Sequence, residues 1–141
     1  MGTRRKAREA ALQFLFQDDF CSKMEQDPAD LEERFDHFRE MYQVNRKARA
    51  YAIELLRNTL ANRQDIDDII RRCATNWRLE RIAYCDRNLL RIAVSEILYS
   101  DDVPHQVAIN EAVEIAKRYG SAESPSFVNG ILDAVKKHIP A

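Results

Sequence analysis

The chain has 141 residues and is poor in the residues that break helices, with three glycines and four prolines. All-β architectures depend on such turn residues, and no segment alternates apolar and polar residues between turn signals. Apolar residues instead recur every three to four positions along most of the chain. We therefore predict an all-α fold, a helical bundle of about six or seven helices built from two packed three-helix sub-bundles.

Cysteine and histidine are equally scarce, with three of each. The cysteines form no CxxC pair and are odd in number, which argues against a disulfide framework and predicts reduced thiols. The histidines match no metal-ligand spacing, and no nucleotide-binding or nucleophile motif is present. We expect no metal, no cofactor and no catalytic residue, and hence a protein that is not an enzyme.

Long apolar runs are missing as well. No stretch approaches the roughly 20 apolar residues of a membrane span, and the basic N-terminus does not lead into the apolar core of a signal peptide. We expect a cytoplasmic protein without membrane contact. Its length fits one domain, residues 1–141, with an N-terminal sub-bundle at about 3–62 and a C-terminal sub-bundle at about 63–139.

Helix boundaries are marked by a few capping signals. Asp27 before Pro28 and Ser124 before Pro125 predict N-caps followed by proline in the first turn. Asp86 is expected to cap a helix that is apolar nearly all round and therefore central. Gly120 is expected to follow the last residue of the preceding helix, in the C′ position.

Positive charge is concentrated at the start of the chain. The net charge is −1, but Arg4, Arg5, Lys6 and Arg8 supply four positive charges within five positions. We call these four residues the basic cluster. In a helix, Arg4 and Arg8 share one face with Arg5 beside them, and such an array can follow phosphates and stack on unpaired bases of single-stranded RNA. A frayed basic tail without function remains an alternative.

Two aromatic residues, Phe16 and Trp77, have two interpretations each. Phe14 and Phe16 lie on different sides of the first helix, so only one can face the core, and Phe16 is the candidate platform for base stacking. Packing of Phe16 against the second helix is the alternative. Trp77 lies in a connector between helices, where we expect it to plug the space between the sub-bundles rather than to face a ligand.

Four sequence segments resemble signatures of the NusB family, in the same order. They are RRKAREAALQFLF at 4–16, DRNLLRIA at 86–93, VAINEAVE at 107–114 and FVNGILD at 127–133. The resemblance is close over 4–16 and 76–135, whereas about 20–60 matches only as helices of suitable length. Family members commonly have tyrosine where Phe16 stands, so a stacking contact is retained here but a hydroxyl-dependent contact is not.

The resemblance implies a transcription antitermination factor. Such a factor binds boxA-type single-stranded RNA together with the ribosomal protein NusE, and reaches other Nus factors and RNA polymerase through that complex. Its role is to promote processive transcription of ribosomal RNA operons. The residues leave open whether the free chain is a monomer or a homodimer.

The resemblance also assigns residues. The basic cluster falls on the arginine-rich RNA motif, and Phe127 with Asn129 falls on a second RNA-facing signature. Glu123 falls where an acidic residue restrains RNA binding, although it also fits a helix N-terminal anion.

Asp86 falls at the contact with the ribosomal partner, although it also fits a simple cap. Asn110 and Glu111 are family-signature residues that we expect to be structural, tying the start of their helix to its neighbours.

Two other functions remain open. NusB-like domains also stand at the N-terminus of RNA cytosine methyltransferases, and that role would require a further domain that holds the methyl donor. A protein-only adaptor, in which the arginines are incidental, is the other. The salt dependence of RNA binding distinguishes the adaptor from an RNA-binding factor.

Overall fold

A computed structural model describes residues 2–21, 31–42, 44 and 46–139. Within these residues it contains seven α-helices, a single 3₁₀ turn and no strand, which confirms the predicted all-α class. The helices are α1 Gly2–Cys21, α2 Leu31–Tyr42, α3 Arg46–Ala61, α4 Arg63–Cys73, α5 Tyr84–Tyr99, α6 His105–Tyr119 and α7 Ser124–His138, and the 3₁₀ turn is Leu79–Arg81.

Helix α5 is the centre of the bundle, as its apolar character predicts. It packs against α1, α3, α4, α6 and α7, and Leu89, Leu90 and Ile92 on successive faces are all buried. A helix surrounded on every side needs apolar residues all round. Helices α1 and α3 pack directly on α5, and one apolar core runs through all the helices. The structure therefore shows no separate cores among the described residues, and the division into two sub-bundles stays a prediction.

Phe14 of α1 forms an aromatic cluster with Phe35 and Phe38 of α2. The ring of Phe14 lies 5.9 Å from that of Phe35 and 5.5 Å from that of Phe38, in tilted and edge-on arrangements. Such offset contacts are the favoured geometries of aromatic pairs. Of Phe14 and Phe16, Phe14 is therefore the one that faces the core, and Phe16 is exposed.

Two predicted helix starts differ from the structure, and a third is not tested by it. Helix α5 begins at Tyr84 with Ala83 as the N-cap, so Asp86 lies in the first turn and is not the cap. Helix α7 has Glu123 at the N-cap position and Ser124 as its first helical residue, so it begins one position earlier than predicted. The Asp27–Pro28 signal lies outside the described residues.

Gly120 does follow α6 closely, but as the C-cap with extended backbone rather than as a left-handed C′ residue. Glycine is needed at this position because a Cβ atom there would lie 2.5 Å from the side chain of Ser124. The absence of a side chain lets α7 start directly against the end of α6.

The described part of the chain contains no group of three or more metal-ligating side chains close enough to hold an ion. None of its helices is both long enough and apolar enough to cross a membrane.

Truncating the central helix tests this packing. We expect Leu90→Ala to lower the free energy of unfolding by about 2–5 kcal/mol, because Leu90 is fully buried and the loss leaves a cavity. Val107→Ala on α6, where the side chain is 44% exposed, should change it by less than about 0.5 kcal/mol. Urea denaturation measures both, and equal losses would contradict a core centred on α5.

Candidate functional site

Helix α1 is anchored by a buried ion pair. The guanidinium of Arg8 donates from Nε and Nη2 to the two carboxylate oxygens of Glu96, at 2.7 and 2.8 Å. Both residues are almost completely buried, at 3% and 1% exposure. Tyr51 of α3 donates its hydroxyl hydrogen to the same carboxylate, so the cluster joins α1, α3 and α5. Burial and the Glu96 charge raise the pKa of Tyr51 well above its ordinary value.

This geometry corrects the predicted arginine array. Arg8 lies on the part of α1 that packs against α5 and α6 and is not available to RNA, whereas Arg4, one turn earlier, is exposed. Its role is to fix α1, because a buried charge must be paired. Lys6 is exposed, and none of the ion pairs within the described residues involves it.

Arg4 and Arg5 remain accessible but are held by carboxylates. Arg4 lies 4.7 Å from the ring of Tyr51 and donates to Asp102 at 2.5 Å. Arg5 makes a bidentate pair with Glu111 at 2.9 and 2.6 Å. The first arginines are thus ordered on the surface rather than frayed, and a phosphate could reach them by replacing a carboxylate.

These pairs change the electrostatics of both partners. The hydrogen bond from Arg5 lowers the pKa of Glu111, and the bond from Arg4 lowers the pKa of Asp102. Both carboxylates therefore stay ionised at neutral pH. The stability that they contribute is present above their ordinary pKa and is lost as the pH falls through the lower, folded-state pKa.

Glu111 behaves as predicted for a structural residue, whereas Asn110 does not. Glu111 also accepts from Arg8 at 3.3 Å, so one carboxylate ties α6 to two turns of α1. Asn110 is exposed, and its side-chain oxygen accepts from Gln106 one turn earlier in the same helix. It therefore does not join α6 to a neighbouring helix.

Phe16 lies on the surface of α1, as predicted for the stacking candidate, with 41% of its side chain exposed. Its ring meets Tyr84 edge-on at 6.5 Å, and the guanidinium of Arg87 lies over the Tyr84 ring at 4.7 Å. A cavity of about 240 Å³ beside Phe16 is lined by α1, Cys85 and Tyr119. Burial raises the pKa of the Cys85 thiol to about 11, so this cysteine is a neutral wall of the cavity.

The connection between α6 and α7 presents the second group of predicted residues. Glu123 is exposed at the N-cap of α7 and accepts from the Ser121 hydroxyl at 3.2 Å. Phe127 is half-buried one turn later, and Asn129 is exposed. Trp77 is not a plug between sub-bundles, because it is 57% exposed and packs edge-on against the Phe127 ring at 5.3 Å.

Asp86 is largely buried at the start of α5, and its Oδ1 atom is buried without a hydrogen-bond partner in the described structure. The adjacent turns contain a second buried ion pair, in which Arg91 of α5 makes a bidentate contact with Asp67 of α4 at 2.8 and 3.1 Å.

Glu96 is the important residue that sequence reasoning missed. Among the residues of α5 it is, besides Asp86, the only carboxylate, and it stands between Ser95 and Ile97 in the largely buried second half of the helix. An ionised side chain in such a position requires a buried partner. This signal was available in the sequence, but the partner, Arg8, lies 88 positions away.

Removing one member of the buried pair should destabilise the fold strongly. We expect Glu96→Leu to lower the free energy of unfolding by about 3–5 kcal/mol, because Arg8 keeps its buried charge. Adding Arg8→Met should restore much of the loss. Glu32→Ala, which breaks an exposed ion pair with Arg57, should have almost no effect. Equal, small effects at Glu96 and Glu32 in urea denaturation would refute the anchoring role.

Comparisons with known proteins agree on one family. The family model described as the NusB family matches residues 5–137. The transcription antitermination protein NusB of Desulfotalea psychrophila is 59% identical over 136 residues, which cover 96% of each chain.

Two solved structures have the same fold. T. maritima NusB superposes with a TM-score of 0.82 at 40% identity, over 95% of this chain and 90% of that one. A crystal structure of the antitermination factors NusB and NusE in complex with double-stranded RNA gives a TM-score of 0.83 at 27% identity, over 99% of both chains. With a family model that spans nearly its whole length and close relatives of matching length, the chain belongs to the NusB family.

Proposed function

We propose that this chain is a transcription antitermination factor that binds boxA-type single-stranded RNA together with the ribosomal protein NusE. With other Nus factors and RNA polymerase, the complex would promote processive transcription of ribosomal RNA operons. Relatives carry the name antitermination protein, and one related structure holds NusB, NusE and RNA. The role belongs in the cytoplasm and requires neither a cofactor nor a catalytic residue.

The observation that carries the proposal is the surface of α1. Arg5 and Phe16 stand eleven residues apart, which is three turns of a helix, so they lie on nearly the same face. Exposed Arg4 and Lys6 stand beside Arg5. Proteins bind single-stranded nucleic acid with a row of cations that contact the phosphates and aromatic rings that stack on the bases.

The α6–α7 connection extends this surface. Helix α6 runs parallel to α1, with Glu111 beside Arg5 and Arg118 paired with Glu9 at 3.3 Å. Tyr119 at the end of α6 lines the cavity beside Phe16, and Glu123 and Phe127 follow it at the start of α7. We call Arg4, Arg5, Lys6, Phe16, Glu123, Phe127 and Asn129 together the RNA face.

Each member has a separate role in the proposal. Arg4, Arg5 and Lys6 contact phosphates, whereas Arg8 positions α1 and touches no RNA. Phe16 and Phe127 stack on unpaired bases, and Asn129 forms hydrogen bonds. Glu123 repels phosphate and so limits affinity for RNA.

Asp86 is proposed to contact the ribosomal partner. Its buried Oδ1 atom lacks a hydrogen-bond partner in the described structure, and an unpaired buried carboxylate oxygen is costly. A donor on the partner could reach it once docking turns the Asp86 side chain outward. Outside the basic cluster the chain carries a net charge of −5, which suits a basic ribosomal protein.

Fluorescence anisotropy of labelled boxA RNA, with NusE present, tests the phosphate contacts. We expect Arg4→Ala with Lys6→Ala to weaken binding roughly tenfold and to reduce the slope of log K against log salt by about 1.4, since each phosphate contact on a single strand contributes about 0.7. The matched control removes two exposed cations elsewhere, Arg57→Ala with Lys137→Ala. If both double variants behave alike, the RNA face is wrongly placed.

Breaking the Arg4–Asp102 pair should strengthen RNA binding instead of weakening it. We expect Asp102→Asn to tighten boxA binding severalfold, because Arg4 no longer has to release a carboxylate before it contacts phosphate. Asp101→Asn removes the same charge from the adjacent exposed position and should tighten binding less. The difference between the two variants in the same assay measures the competition, and identical affinities would argue against it.

A further inference from the structure

A polar groove of about 520 Å³ separates α6 from the first turns of α7. Helix α6 contributes Asn110, Glu114 and Lys117 to its walls, and α7 contributes Ser126 and Asn129. We call it the α6–α7 groove. Two amides and a hydroxyl around one open space can recognise the edge of a ligand that both donates and accepts hydrogen bonds.

The charges in the groove cancel. Lys117 pairs with Glu114 at 3.1 Å within the same helix. A phosphate entering the groove would meet the Glu114 carboxylate, and a cation would meet the Lys117 ammonium. Val113 and Pro125 add apolar surface to the walls. The groove therefore suits a neutral ligand with a polar edge and an apolar face, which is the chemistry of a nucleobase.

A chain of hydrogen bonds fixes the orientation of the Asn110 amide. Lys136 can only donate, so its ammonium must meet the oxygen of Gln106, which it does at 2.8 Å. The nitrogen of Gln106 then donates to the Asn110 oxygen at 2.9 Å. Asn110 is left with its Nδ2 hydrogens for a ligand, so it offers a donor whose orientation is set before binding.

The position of the groove connects it to α1. Asn110 directly precedes Glu111, which holds Arg5, and the charge of Glu114 acts on Arg5. The groove and the basic cluster thus lie on two sides of a single helix, about 10–12 Å in diameter. An RNA strand with phosphates at the start of α1 can cross α6 and reach the groove with its next nucleotides.

We propose that the α6–α7 groove binds one unpaired base of the RNA and that Asn110 donates a hydrogen bond to an acceptor on the edge of that base. Asn129 and Ser126 complete the contact from α7. The inference rests on the proposed function and adds to it the part of the site that reads sequence, because phosphate contacts alone carry no sequence information.

The first test compares labelled boxA RNA with a scrambled RNA, with NusE present. We expect Asn110→Ala to lower boxA affinity roughly tenfold, the scale of one well-made base contact, and to leave the affinity for scrambled RNA unchanged. Asn110→Asp should lose more boxA affinity than Asn110→Ala, because a carboxylate oxygen then stands where the Nδ2 donor was. Gln64→Ala and Gln64→Glu, at an exposed amide on α4, control for the loss of an amide and for the added charge.

The second test identifies the base. In a series of boxA RNAs that each lack one base, removal at one position should cost wild type at least as much affinity as Asn110→Ala does, and should cost the variant less affinity than it costs wild type. An Asn110→Ala loss that adds to the loss at every position would overturn the groove as a base site. Wild-type protein that binds boxA and scrambled RNA equally would instead overturn the proposed function, and this inference with it.

Discussion

The buried pair between Arg8 and Glu96 is the interaction on which the placement of the functional surface depends. A guanidinium and a carboxylate inside a core are tolerated only when their hydrogen bonds are made, and both oxygens of Glu96 are used by Arg8. Helix α1 can therefore dock on α5 in only one rotation and one register. That register points Phe14 into the core, leaves Phe16 exposed and puts Arg4 and Arg5 at the surface beside α6.

A surface built in this way does not behave as a simple positive patch. Arg4 and Arg5 are each paired with a carboxylate, and Glu114 and Lys117 neutralise each other nearby. A polyanion gains little by approaching without displacing these partners, and the chain as a whole is slightly acidic. Binding then requires phosphates and bases to meet several groups together, which favours a defined single strand over nucleic acid in general.

The sequence predicts the helices and the core well, because both follow from local periodicity. The choice between Phe14 and Phe16 also follows, since two residues 200° apart on a helix cannot share one core. The burial of Arg8 could not be predicted in the same way. A basic run has the same appearance whether it is solvated or paired with a carboxylate far along the chain, and only the isolated Glu96 in an apolar helix indicated the pairing. Trp77 was misjudged because a connector can lie outside the bundle as easily as between its parts.

RNA is expected to lie on α1 and on the α6–α7 side of the molecule. Backbone amide chemical shifts of the labelled protein, recorded by NMR as boxA RNA is added in the presence of unlabelled NusE and compared with NusE alone, test this directly. The account predicts that RNA shifts amides at 3–17 and 110–130, with little change along α3. Changes confined to α3 and α4, with α1 unaffected, would contradict it.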